Sequence, residues 1–272
     1  MTTQVEKAQG FLAAHTAAGG PLLMPNAWDE GAARLFEHLG FTAIATTSSG
    51  YAGTRGRLDG DVTRAEVLDH CAALVAATSL PVSADLEQGF AETVDEVAET
   101  YQLAAAAGLA GGSIEDYARH PEPLIYPIDE AADRVRAAAE AVHGDGKAFV
   151  LTARAENGIR NVRDLDDTIR RLQAYQEAGA DALFAPGWVA ADDVRAIVTS
   201  VDLPVNVLLG NGAPTVAELG ALGVARISVG GSLYWVAVDA AADAARLLLE
   251  EGTLPFADVA AGVTTGRAAF SP

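Results

Sequence analysis

Residues 81–90 read PVSADLEQGF: a short apolar run, then two acids two positions apart, then a glycine. Along a strand, residues i and i+2 share a face, so Asp85 and Glu87 are expected to leave a strand end in the same direction. Carboxylates held that close repel, and a hard divalent cation with oxygen ligands, such as Mg2+, relieves the repulsion most simply. Gly89 lets the chain turn sharply after them. Taken alone, the pattern fits two solvated acids at a strand-to-loop junction better than a metal site. Its weight comes from the other strands, which end in the same polar manner.

Outward from this run, short apolar stretches alternate with longer amphipathic ones. A helix over Val5–Ala18 stops at Gly19-Gly20. Strands are expected at Leu22–Met24, Phe41–Ala45, Pro81–Ala84, Gly112–Ile114, Ala148–Ala153, Asp181–Ala185, Pro204–Leu209 and Arg226–Val229. Helices follow them at about Asp29–Leu39, Thr63–Ala77, Thr93–Ala107, Ile128–Val142, Leu165–Ala178, Asp192–Thr199, Thr215–Leu222 and Ser232–Glu250. Eight strand-helix units call for a parallel sheet covered by helices. At 272 residues they suit a closed (β/α)8 TIM-type barrel, which occupies about 250 residues, better than an open sheet. Residues 1–272 are therefore expected to form a single α/β barrel domain, with an N-terminal helix in 1–20 and a C-terminal helical extension over 232–272.

Lys and Arg number 18 against 37 Asp and Glu, a net charge of −19 with no basic stretch to offset it. Nucleic acid and anionic membrane are poor partners for such a chain, and an anionic substrate must be met by local donors or a metal. One cysteine, Cys71, leaves no internal disulfide, and no signal-peptide or membrane-spanning pattern is present. A cytoplasmic protein is the expectation.

Functional residues of such barrels sit at the C-terminal strand ends. Those ends carry Asn26 and Trp28, then Thr46, Thr47 and Ser48, Asp85 and Glu87, Glu115, Arg154 and Glu156, Pro186, Asn206 and Gly210, and Gly230. One rim thus collects carboxylates, an arginine, hydroxyls and an amide. Trp28 is a candidate wall of the pocket. His120 is the imidazole nearest the mouth and the candidate acid.

The ordered motifs SADLEQGF, GSIED and LTARAENG, preceded by TTSSGYAGTRGRLDGD, resemble the isocitrate lyase and phosphoenolpyruvate mutase superfamily over nearly the whole chain. The resemblance implies Mg2+, with Mn2+ as the alternative ion, surrounded by Asp85, Glu87 and Glu115, partly through water. Glu87 stands where the family usually has Asp. The resemblance also implies that Asp59 lies near metal and substrate, that Arg154 holds the substrate carboxylate, and that Thr46–Ser48 hold the 2-oxo acid end. Two departures stand out. The lyase loop built on a catalytic cysteine is replaced by DYARHPEPLIYPIDE, and a family glutamate by the APGW of Ala185–Trp188. Cys71 falls mid-helix, a buried apolar position.

The expected function is a Mg2+-dependent lyase that cleaves the carbon-carbon bond next to the enolisable carbon of a small 2-oxo or 2-hydroxy carboxylate. The first alternative is a carbon-phosphorus mutase or hydrolase of the phosphoenolpyruvate mutase, carboxyphosphonoenolpyruvate mutase or phosphonopyruvate hydrolase type. The second, from another class, is a non-catalytic barrel that binds an oxo acid or a phosphometabolite, with Gly210–Gly212 and Gly230-Gly231 as phosphate turns. The family's usual assembly implies a homo-oligomer, dimer or tetramer, whose last helices exchange between subunits.

Overall fold

The computed structural model describes residues 3–17, 19–119, 124–144 and 148–271. Its parallel sheet runs in the order β1 (Leu22–Met24), β11 (Arg226–Ser228), β10 (Val205–Leu208), β9 (Ala182–Phe184), β8 (Val150–Arg154), β5 (Gly111–Glu115), β4 (Val82–Asp85), β3 (Ile44–Thr46), β2 (Asn26–Ala27). β1 and β2 are two halves of one barrel strand. Pro25 lies between them and has no N–H for the ladder; the first half pairs with β11 and the second with β3, so the ring closes as expected. Asn26 clamps that closure. Its Nδ2 donates to the Thr46 carbonyl at 2.7 Å, and its Oδ1 accepts from the amides of Val229 and Gly230 at 3.0 and 2.9 Å.

The covering helices are α2 (Glu30–His38), α4 (Arg64–Ala77), α5 (Val94–Ala106), α6 (Ile128–His143), α7 (Leu165–Glu177), α8 (Ala191–Thr199), α9 (Val216–Ala221) and α10 (Ser232–Glu251). Short polar side chains start several of them: Thr63 with Glu66, Thr93 with Glu96 and Thr215 with Glu218 form reciprocal capping boxes. Two features go beyond the sequence expectation. The TTSSGYAGT stretch contains a short helix, α3 (Ser48–Thr54), capped by Thr47, and β6 (Tyr117–Ala118) and β7 (Leu124–Ile125) pair as a hairpin. The C-terminal extension after α10 carries a second helix, α11 (Phe256–Phe270). α11 packs against α2 of its own chain.

The N-terminal helix, α1 (Gln4–Ala14), plugs the bottom of the barrel. Phe11 is buried with Leu22, Met24, Ala45, Ala110 and Val150, and Gln4 donates to the carbonyls of Leu109 and Ala148 at 2.8 and 2.7 Å. At the end of this plug His15 meets Arg226. The Arg226 Nη1 lies 3.1 Å from the His15 Nε2, and the His15 Nδ1 lies 2.8 Å from the Phe11 carbonyl. Arginine only donates, so Nε2 must accept and the proton sits on Nδ1. The neutral ring is therefore the one that fits. Burial together with the adjacent Arg226 charge lowers the pKa of His15 to about 4, against weaker opposing pulls from the Phe11 and Leu12 carbonyls and from Asp181.

The sign of the pH effect follows. The unfolded chain binds a proton at His15 near its ordinary value of about 6.5, whereas the folded chain does so only near 4. Stability contributed by the neutral ring is complete above that window and falls as pH drops through it. In urea titrations between pH 6.5 and 4, His15→Gln should flatten the decline of unfolding free energy by up to about 1.4 kcal/mol per pH unit. An unchanged slope would refute the buried-neutral assignment.

Candidate active site

The C-terminal ends of β3, β4, β8, β10 and β11 surround a cavity of about 210 Å3. Asn26, Thr46, Thr47, Ser48, Asp59, Asp85, Arg154, Asn206, Arg226, Ser228 and Gly230 contribute to its wall. Most of the rim residues picked from the sequence therefore meet in one place. A volume below the roughly 300–1,000 Å3 of drug-sized sites suits a small metabolite.

Asp85 is held from β3. Its amide donates to the Thr46 Oγ1 at 2.8 Å and its Oδ2 accepts from the Ser48 Oγ at 2.9 Å. Its Oδ1 accepts the Glu87 amide at 3.3 Å. β4 ends at Asp85, and Glu87 does not continue the strand: its φ is +48°, in the left-handed region. The common direction expected from strand alternation is thus replaced by a tight turn. Gly89, at φ +88°, completes that turn and donates to the Leu86 carbonyl at 2.8 Å. Glu87 is consequently directed to a neighbouring recess of about 940 Å3, lined also by Gln88, Phe90 and Arg119.

Arg154 occupies the centre of the acidic group. Its Nε donates to the Glu156 Oε1 at 2.5 Å, while its Nη1 lies 3.5 Å from the Glu115 Oε2 and 3.9 Å from the Asp85 Oδ1. Burial opposes the guanidinium charge, but Glu115, Glu156 and Asp85 outweigh it and hold the pKa above the ordinary arginine value. With Nε committed to Glu156, any donor for a ligand comes from the Nη atoms. Glu156 pairs in turn with Arg160 at 2.7 Å.

Arg119 forms a second bridge. Its Nη2 reaches the Asp59 Oδ2 at 2.7 Å, and its Nε lies 3.6 Å from the Glu87 Oε2. Gly60, at φ +90°, makes room for it, because a Cβ there would lie 2.5 Å from the Arg119 Cδ. Burial, and next the Asp85 charge, push the carboxyl of Glu87 up to about 7. Burial raises Glu115 well above the carboxylate range, against the pull of Arg154. The Oε1 atoms of both glutamates are buried without a hydrogen-bond partner.

Other expected residues are placed differently. Trp28 does not line the cavity; its ring packs edge-on against Phe36 and Tyr234, 6.0 and 5.7 Å between centroids. His120 lies outside the described residues. Cys71 is buried in α4, and burial pushes its thiol up to about 12. Residues given no role from sequence carry much of the geometry: Arg119, Arg226, Ser228 and Asp116, with Glu156 read there only as one of the rim acids. Asp116 is buried and accepts from the Tyr175 hydroxyl at 2.6 Å, the Arg171 Nη1 at 3.0 Å and the Glu156 amide at 2.8 Å. The signal available was a charged residue beside or inside an apolar strand, as in GSIED and ARISV.

A closed parallel barrel with charged side chains gathered at one rim has the architecture of a metabolic enzyme. The phosphoenolpyruvate phosphomutase family profile matches residues 11–249, and the chain belongs to that family, within the isocitrate lyase and phosphoenolpyruvate mutase superfamily of lyases and mutases. It is similar to a candidate lyase/mutase of Burkholderia cenocepacia J2315, with 47% identity and a TM-score of 0.93 over 99% of this chain and 98% of that one. The 2-methylisocitrate lyase of Bacillus subtilis is 31% identical over 191 residues, 67% of this chain and 61% of its own length. A phosphonopyruvate hydrolase solved with oxalate and Mg2+ is 26% identical, with a TM-score of 0.83 over 93% of this chain and 90% of that one.

Asp116→Ala should strip Arg171 and Tyr175 of a buried acceptor and release the Glu156 amide. A loss of about 3–5 kcal/mol in chemical denaturation is expected, the usual cost of breaking a buried pair from one side. A loss below about 1 kcal/mol would show that Asp116 does not hold this wall.

Proposed function

We propose that the protein is a Mg2+-dependent lyase that cleaves the carbon-carbon bond next to the enolisable carbon of a small 2-oxo or 2-hydroxy carboxylate. The observation that carries the reading is the pair of orphaned carboxylate oxygens, the Oε1 atoms of Glu87 and Glu115, buried within electrostatic reach of Asp85. Buried acceptors without donors are costly, and a cation supplies what they lack.

The donor set fits Mg2+ in kind, since all three groups offer hard oxygens. Among the described residues no three such groups converge as a closed metal cage. Mg2+ rarely requires one, because it keeps several waters and takes one or two carboxylates directly. In this reading Asp85, Glu87 and Glu115 would hold the ion, partly through water. Mn2+ would satisfy the same set. Bound there, the ion would supply a Lewis acid for the keto and carboxylate oxygens of the substrate.

The chain's own residues do the rest. Ser48 fixes the Asp85 carboxylate through its hydroxyl, and Thr46 fixes the backbone beneath it. The Nη edge of Arg154 offers two donors to a substrate carboxylate, a planar match. Thr47 and Ser48, at the start of α3, hold the oxo-acid end, and Asp59, tied to Arg119, sets the outer wall. The general acid is left to the mouth of the barrel, where the sequence places His120.

The carbon-phosphorus reading rests on the likeness to the phosphonopyruvate hydrolase. We place the enzyme in the cytoplasm, acting on a small molecule without nucleic acid or membrane; no helix of the described residues is long and apolar enough to cross a bilayer. We also propose a homo-oligomer. No residue of α10 or α11 is buried, and Trp235, Val236, Leu249 and Phe256 are 51%, 65%, 87% and 66% exposed. Faces so apolar mark association surfaces. Light scattering should give a dimer or tetramer, and the mass of one chain would remove this part of the reading.

The decisive assay is release of pyruvate or glyoxylate from oxaloacetate, isocitrate, 2-methylisocitrate, methylated malates, 4-hydroxy-2-oxo acids and phosphonopyruvate, with and without EDTA. One carbon-carbon substrate should turn over, EDTA should stop it, and Asp85→Ala should reduce it to the EDTA level with the barrel still folded. Phosphonopyruvate turnover alone would select the carbon-phosphorus reading. Oxo-acid binding with no turnover would select a binding protein.

A further inference from the structure

The floor of the cavity contains a cation with no anion. Arg226 is buried within β11, and among the described residues no carboxylate lies within ion-pair distance of it. Its three donor nitrogens are spread over neutral acceptors: Nη1 on His15, Nη2 on the Thr152 Oγ1 at 3.0 Å, and Nε on the Asn206 Oδ1 at 3.0 Å. Burial lowers its pKa to about 9, so it remains charged at neutral pH.

That last contact decides the next one. Because arginine cannot accept, the Asn206 amide must turn its oxygen toward Arg226 and its nitrogen away. The Nδ2 then donates to the Ser228 Oγ at 2.9 Å. A serine hydroxyl has one proton of its own, and with the oxygen already accepting from Asn206, that proton points elsewhere. Ser228 lines the same cavity as Arg154 and Asp85, and no described residue accepts from it.

We propose that Ser228 is a substrate-binding residue whose hydroxyl donates to an anionic oxygen of the bound carboxylate, and that Arg226 and Asn206 are positioning residues that orient it. The relay is polarised by chemistry alone: donor-only arginine, amide, hydroxyl, ligand. Hydrogen bonds in such a chain reinforce one another in a low-dielectric interior. The relay sits at β10 and β11, across the cavity from the acidic group on β4, β5 and β8. A carboxylate ligand would thus meet Arg154 on one side and the Ser228 hydroxyl on the other.

This rests on the site reading above, so the test separates the two. Oxalate is titrated calorimetrically into the full-length protein with Mg2+ present, using wild type, Ser228→Ala, Asn206→Asp and the double variant, with the melting temperature of each. Ser228→Ala should weaken oxalate by about 10- to 100-fold, the range for a hydrogen bond to a charged group. In Asn206→Asp one carboxylate oxygen takes Arg226 and the other captures the Ser228 proton, turning the hydroxyl away from the ligand. It should lose at least as much as Ser228→Ala, because the added charge also offsets Arg226, and the double variant should lose less than the product of the two single losses, a non-additivity that marks coupled residues.

If wild type fails to bind oxalate with Mg2+, the oxo-acid site itself falls, and this inference with it. If wild type binds and folded Ser228→Ala stays within about twofold, the Ser228 contact alone is overturned. Losses that multiply in the double variant would overturn the relay. Should one single variant not fold, the affinity of the other still decides whether the Ser228 hydroxyl meets the ligand.

Discussion

A buried guanidinium among carboxylates is the interaction on which this site depends. Arg154 is attached to β8, yet it is neutralised by Asp85 from β4, Glu115 from β5 and Glu156 just beyond its own strand. Burying any one of these charges alone would be prohibitive, and together they are tolerable only at this spacing. Three strand ends are thereby fixed relative to one another by electrostatics as well as by the ladder. A chain of net charge −19 can also present an anion site this way. Local pairing leaves the cavity close to balanced, and the excess acid lies on exposed helix faces.

The same site departs from local rules where chemistry is expected. Glu87 adopts a left-handed backbone at φ +48° that costs a non-glycine residue about 1–2 kcal/mol. Its carboxyl is desolvated next to Asp85, and one oxygen has no donor. Strain and an unsatisfied acceptor at one residue are hard to account for by packing. They are the usual signs of a position kept for function at the expense of stability.

Much of the barrel could be read from the chain because apolar runs and capped amphipathic stretches are local signals. The rim residues followed from one geometric rule, that function gathers at the C-terminal strand ends. What escaped was long-range. The Arg226–His15 contact spans 211 positions and the Asn26 clamp on Val229 spans 203, and no spacing rule connects such pairs. The split of the first strand was implicit in Pro25 but is visible only once both neighbours, β11 and β3, are in place. Trp28 was assigned from its position after a strand; the side chains of Phe36 and Tyr234, which claim it, come from α2 and α10. Strand alternation misplaced Glu87 because the strand stops at Asp85, where carboxylate repulsion and the Gly89 turn both favour leaving extended geometry.

The two buried arginines divide the cavity unequally. Arg154 is surrounded by acids, so its field is largely cancelled before it reaches a ligand; Arg226 has only neutral partners, so its field is not. Across a space of about 210 Å3 this makes the β10–β11 side the more positive one and the β4–β5 side the more negative. A cation is drawn to the acids and a carboxylate toward the opposite floor, and the two attract each other between them. The polarity also explains why His15 must stay neutral at the barrel bottom. A proton there would add a second positive charge against Arg226, which the Phe11 and Leu12 carbonyls and the field of Asp181 offset only in part.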